Sequence, residues 1–168
     1  MLFRSVNTAG KALGVGGAFA AGPAWAIDYL IQRARPFVFS TAPPPAMADA
    51  LAVSLDIVEA EPERRATVLA RAALLRERLA AEGIAVPAGR SQIVPVLIGD
   101  NGPAVEIAAM LAIDGFDVRA IRPPTVPPGT ARLRVSVNAS LGESTIDRFV
   151  RQLAVAMRGA GLCSAASS

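Results

Sequence analysis

Lys11 is the only lysine in a chain whose other basic residues are all arginine. The two cations differ in one decisive respect. An amine can lose its proton and attack a carbonyl to give a Schiff base, whereas a guanidinium stays protonated. The setting of the lysine fits such a use: Gly10 precedes it and Gly14, Gly16 and Gly17 follow, and glycines let a backbone come close to a bulky ligand. The alternative is a single solvated lysine in a surface loop. A phosphate-binding P-loop does not fit, because there the lysine follows the last glycine and precedes Ser or Thr, whereas here it precedes the glycines and is followed by Ala12. No dinucleotide-binding glycine fingerprint fits either.

The rest of the composition removes other chemistries. The chain has no histidine and one cysteine, Cys163. Structural zinc, a disulfide framework, and Ser-His-Asp or Cys-His catalysis are therefore excluded from it, and no metal site is expected. A net charge of +3 and a pI near 10.0 raise the question of nucleic acid. The arginines, however, are interleaved with 14 acidic residues and form no basic stripe with stacking aromatics, which a phosphate footprint would need. Met1 to Ala26 has the outline of a signal peptide, with Arg4 and Lys11 before an apolar run and Ala24-Trp25-Ala26 after it. That run is interrupted by Gly14, Gly16, Gly17 and Gly22, which makes a poor helical segment. No other stretch approaches the roughly 18 apolar residues of a membrane span, and a cytoplasmic location is expected.

Hydrophobic residues make up 52% of the chain and aromatics only 5%, so the core must be aliphatic, carried on helices and strands of an α/β or α+β fold. Periodicity places the elements. Leu2 to Val6 reads as a short strand, Asn7 to Gly17 as a glycine-rich loop, and Ala18 to Ala21 as a short buried strand. A helix opens at Pro23 with apolar Trp25, Ile27, Leu30 and Ile31, and ends at Arg33-Ala34-Arg35-Pro36. After Phe37-Val38-Phe39, Ser40-Thr41 and Pro43-Pro44-Pro45 read as a turn or extended segment. Helix resumes near Ala46, breaks at Glu61-Pro62, and is followed by a long helix over 63–82 with Val68, Leu75 and Leu79 on one face and Gly83 as its stop. Beyond it come a strand over 93–98, a helix over 103–113, a strand over 118–121, a proline-rich loop over 122–130, a strand over 132–137 and a helix over 144–157. Gly159 onward reads as a disordered tail. Residues 1–60 lack the strands to close a sheet of their own, while 61–168 can form a compact layer of strands under helices.

Several segments, taken in order, resemble one enzyme family. Thr8-Ala9-Gly10-Lys11-Ala12-Leu13-Gly14-Val15-Gly16-Gly17 is similar to the cofactor-lysine segment of the α-oxoamine synthases. The likeness continues through Asp28-Tyr29-Leu30, through Arg35-Pro36-Phe37-Val38-Phe39-Ser40-Thr41 with Pro44-Pro45, and through Val96 to Asn101. It ends with Ala120 to Pro127 and Gly129 to Arg134. Within the group, Ala120-Ile121-Arg122-Pro123-Pro124-Thr125-Val126-Pro127 is most like the loop of the 8-amino-7-oxononanoate synthases; the glycine-dependent relatives, such as glycine C-acetyltransferase, usually carry other residues there.

The resemblance implies an α/β fold: part of a fold-type-I pyridoxal-phosphate transferase, with a remnant of the large domain and interdomain helix over 1–60 and a small α+β domain over 61–168. It implies Lys11 as the Schiff-base residue for pyridoxal 5'-phosphate, Thr8 on the cofactor phosphate, and Thr41 reaching the phosphate in a neighbouring subunit of a homodimer. Thr125 would contact substrate and Arg134 would pair with a substrate carboxylate. The implied reaction condenses L-alanine with a pimeloyl thioester, on coenzyme A or a carrier protein, in biotin synthesis. The family's aspartate at the pyridine nitrogen and its histidine stacked on the ring have no match here, and Asn138 to Leu141 departs from the usual end of the last strand. The expectation is that a portion before Met1 is missing and that the chain alone is inactive; a noncatalytic remnant is the competing reading. Without the family, Thr8, Ser40 and Thr41 are turn residues, and Arg132 and Arg134 are solvated positions on one face of an edge strand.

Overall fold

The computed structural model describes residues 5–162. The chain divides into two compact units, Met1–Pro62 and Glu63–Ser168. In the first, β1 (Ser5–Thr8) pairs antiparallel with β2 (Ala18–Ala21), Ser5 opposite Ala21 and Thr8 opposite Ala18. Helix α1 (Ala24–Arg33) follows Pro23, which forms its extended N-cap. After a one-residue break at Ala34, α2 (Arg35–Val38) makes a single turn with Pro36 near its start. Proline fits there because the first helical amides have no acceptor in any case. Helix α3 (Pro45–Ala60) begins on proline for the same reason and stops at Glu61, just before Pro62.

The second unit holds the core. Helix α4 (Glu63–Ala81) buries Ala72, Leu75 and Leu79, three positions that recur on one face at the helical period. Gly83 ends the helix at φ +73°, where its N–H reaches the Ala80 carbonyl and the Ile84 N–H reaches Leu79, a glycine-dependent helix stop. Then come β3 (Ile93–Gly99), α5 (Asn101–Ile113), β4 (Arg119–Ile121), β5 (Ala131–Ser136) and α6 (Glu143–Gly159). The sheet order is β3-β5-β4, with β5 antiparallel to both neighbours. Helix α5 thus carries the chain across β5, and the loop after β4 brings it back into the middle. Val94, Val96 and Ile98 of β3 and Ala131, Leu133 and Val135 of β5 are buried with Ile107 and Leu111 of α5 and Ile146, Phe149, Val150 and Leu153 of α6. Phe116 packs edge-on against Phe149 at 5.3 Å, and the Arg148 guanidinium lies 4.6 Å from the Phe116 ring centre.

Three ion pairs, Arg71–Glu143, Arg78–Asp147 and Arg158–Glu82, join α4 and the residue just after it to α6. The residue numbers rise together on both helices, so the two run in the same sense. These pairs sit at the water boundary and set register more than stability, at about 0.2–1 kcal/mol each at most.

Several expectations need correction. Ala18–Ala21 forms the strand expected, but it is largely exposed rather than buried, and Ala9 is the one buried hydrophobic residue among the described residues of the first unit. A two-stranded ribbon with short side chains offers no second layer to pack against. Strand β5 is central, so Arg132 and Arg134 do not belong to an edge strand. Over the apolar run Ala12 to Ala21 the loop and strand are those expected, and no helix forms. Helix α6 continues through Gly159, and the Leu162 N–H still reaches the Met157 carbonyl. Leu2 to Arg4 of the first expected strand, and the tail from Cys163 on, lie outside the described residues.

Candidate functional site

Lys11 sits at the corner of a closed loop. Strand β1 ends at Thr8; the Ala9 N–H donates to the Gly17 carbonyl at 2.9 Å and the Val15 N–H to the Ala9 carbonyl at 3.1 Å. Between them the Gly14 N–H donates to the Lys11 carbonyl at 3.0 Å, with Gly14 at φ +66° and Gly17 at φ +93°. These signs of φ are what glycine supplies at little cost. The loop is held from α3. Ser54 Oγ lies 3.0 Å from the Leu13 carbonyl and 2.9 Å from that of Ala50, so its one proton is shared between a loop acceptor and a helix acceptor. A Cβ on Gly16 would come within 3.2 Å of Met47 Cε, so the glycine also lets the loop lie close against the helix.

The backbone of this turn is tied down while its chemistry-bearing side chains are free. Lys11 and Thr8 are exposed, and neither side chain bonds another described residue. Thr8, Lys11 and the glycines therefore share one short turn. Thr41 is exposed in the segment between α2 and α3, beside Ser40, whose hydroxyl donates to the Pro36 carbonyl. That hydrogen bond gives Ser40 a local role and leaves the Thr41 hydroxyl without a described partner.

In the second unit Thr125 and Arg134 belong to the β4–β5 hairpin. The loop between the strands is internally braced: the Thr125 N–H donates to the Arg122 carbonyl, and both the N–H and the hydroxyl of Thr130 reach the Pro127 carbonyl. Thr125 itself is exposed. Alternation along β5 sends Leu133 and Val135 under the helices and Arg132, Arg134 and Ser136 to the opposite face. The two arginines then part company. Arg132 is half-buried, with Nε donating to the Thr130 carbonyl at 3.0 Å, which ties it to the loop. Arg134 is exposed and bonds no described residue.

The residue model of the aminotransferase class I and II family matches 4–153. The chain belongs to that family. A curated relative, the 8-amino-7-oxononanoate synthase of Anaeromyxobacter dehalogenans, is 48% identical over 155 residues, 92% of this chain and 39% of the relative. Among solved structures, SPT with a PLP internal aldimine superposes with a TM-score of 0.87 at 26% identity, covering 94% of this chain and 40% of that one. The 8-amino-7-oxononanoate synthase of Francisella tularensis superposes with a TM-score of 0.82 at 23% identity, covering 95% of this chain and 47% of that one, a likeness of fold. The chain thus spans about two fifths of the length of the curated relatives it matches. Its α/β architecture is that of the fold-type-I transferases, as the sequence implied.

Within this aminotransferase-family chain the structure brings Thr8 and Lys11 onto one turn, and Thr125 and Arg134 onto one hairpin. Sequence reading missed the supports, Ser54 and Met47 of α3 and the Arg132 tether. A serine or a methionine inside a helix carries no mark of what it touches. Asp100 and Asn101, singled out within the Val96 to Asn101 segment, form the N-cap and first residue of α5, and Gly99 at φ +96° turns β3 into that helix. No described helix is long and apolar enough to cross a membrane.

Proposed function

We propose that this chain provides the cofactor lysine and the substrate-binding hairpin of a pyridoxal-phosphate acyltransferase of the 8-amino-7-oxononanoate synthase type, acting in the cytoplasm on L-alanine and a pimeloyl thioester. The observation that carries the reading is Lys11, the chain's one primary side-chain amine, exposed and without a described partner on a glycine turn whose backbone is otherwise bonded. That turn fits a flat, anionic, aldehyde-bearing cofactor: the amine can reach a carbonyl, the glycines leave room beside it, and the Thr8 hydroxyl can donate to a phosphate oxygen. Pyridoxal phosphate, when bound, supplies the electron sink for carbanion chemistry at an amino-acid α-carbon.

The chain's own residues then have defined tasks. Lys11 holds the cofactor and, once displaced by alanine, takes and returns the α-proton. The α-carbon forms a bond to the thioester carbonyl, the C–S bond breaks to release the thiol, and the carboxylate leaves as carbon dioxide. Arg134 holds the carboxylate with a planar pair of donors suited to it, and Thr125 touches substrate from the braced loop. Thr41 serves a neighbouring subunit's phosphate in a homodimer. Residues 1–60 act as part of the cofactor domain and 61–168 as the small domain. A group for the pyridine nitrogen and one to stack on the ring are not matched in these residues, so turnover requires them from elsewhere.

The test is an absorbance spectrum of the purified chain with stoichiometric pyridoxal phosphate, then borohydride reduction and peptide mapping, with Lys11→Ala as control. A band near the edge of the visible and label on the Lys11 peptide alone are expected. Label only at large cofactor excess would overturn the reading. It would favour a noncatalytic domain, to which the closed core of the second unit lends support.

A further inference from the structure

We propose that Arg119 is a second carboxylate-binding residue that works together with Arg134, the two guanidiniums holding one substrate carboxylate between neighbouring strands. The proposal rests on the reading of Arg134 given above and deepens it. The observation is a register. Arg119 on β4 is the direct partner of Arg134 on β5, and Pro95 on β3 is the partner on the other side. Directly opposed residues of an antiparallel pair project to the same face with Cβ atoms about 4.5–5.5 Å apart. That face is the one turned away from the helices, since the alternate positions Ala120 and Leu133 belong to the core and its packing.

Like charges directly opposed across a strand pair disfavour the sheet, and little in this unit offsets them. From Val118 to Arg134 the sequence holds four arginines and no Asp or Glu. Arg134 has no described partner. Arg119 meets only Asp117, two residues earlier and just before β4, at 3.3 Å, with the side chains 71% and 79% exposed; water and salt screen such a contact heavily. Arg132 shows the contrast, because its Nε is tied to the Thr130 carbonyl. Arg134, without a described partner, and Arg119, met only by the exposed Asp117, stand side by side on the face turned away from the helices, and such a pair suits a ligand with two equivalent oxygens, each able to accept from both.

The experiment follows the side-chain Nε–Hε resonances of Arg119 and Arg134 in the full chain at low ionic strength, titrated with sodium acetate and, separately, with sodium chloride. Both resonances should move along one saturating curve in acetate and far less in chloride. Arg119→Gln should weaken the acetate response of Arg134 roughly fivefold or more, with Arg119→Lys between, since charge-assisted bonds to a carboxylate are about twice as strong as neutral ones. An unchanged Arg134 midpoint in Arg119→Gln would overturn the role of Arg119 and leave that of Arg134 intact. An Arg134 resonance that ignores acetate in the parent chain would overturn both. Matching backbone spectra of the variants confirm that the sheet is kept.

Discussion

Lys11 shows how far a single residue can be read from type alone. The difference between an amine and a guanidinium singles Lys11 out, the family resemblance supplies its proposed task, and the structure adds a turn that fixes the backbone while leaving the side chain free. Lys11→Arg keeps the charge and the length but cannot form a Schiff base, so borohydride trapping should fall to background while the thermal melt is unchanged. Gly17 is a sterner constraint. At φ +93° it lies where L side chains are rarely found, and a Cβ there would also touch Met47. Gly17→Val should deform the loop at a cost of about 1–2 kcal/mol or more, visible as loss of cofactor labelling at a normal cofactor ratio. Arg134 was less legible than Lys11. Two arginines two apart on a strand look alike in sequence, and only the Thr130 carbonyl tells them apart.

At the scale of elements the strongly periodic segments were read well. The face of α4 follows from apolar residues at the helical spacing, α6 lies close to its expected span, and the helix stop at Gly83 follows from glycine's freedom at positive φ. The place of β5 in its sheet was not legible, since strand order depends on where a crossover helix lands, which local pattern does not record. Being central, β5 carries the fully buried Leu133 between two neighbours. Leu133→Ala should cost about 2–5 kcal/mol by denaturant unfolding followed on the second unit. Arg78→Ala, which removes one exposed α4–α6 pair, should cost no more than about 1 kcal/mol in the same measurement.

For the molecule as a whole, burial is distributed very unevenly between the two units. The second has a continuous aliphatic core from α4 to α6. The first leaves Trp25, Tyr29, Phe37 and Phe39 more than half exposed, and its hairpin and first helices line an open apolar hollow of about 520 Å³. Apolar burial contributes roughly 25 cal/mol per Å², and the first unit has little of it with which to offset its chain entropy. Limited proteolysis should therefore cut first within residues 5–62 and leave a resistant product beginning near Glu63, and hydrogen exchange should be fast in β1 and β2 and slow in β5 and α6. Equal protection in both units would refute this account.

Sequence alone pointed to the family, singled out the lysine, and placed the face of α4 and the glycine turns, because each depends on residue type or on spacing within a few positions. Tertiary structure decided that Arg132 is a tether and Arg134 is free, that Arg119 stands opposite Arg134, and that the lysine loop is held by Ser54 and Met47. Those are distances between residues far apart in the chain or on neighbouring strands. They are set by register and packing, which arise only when the whole unit closes around its core.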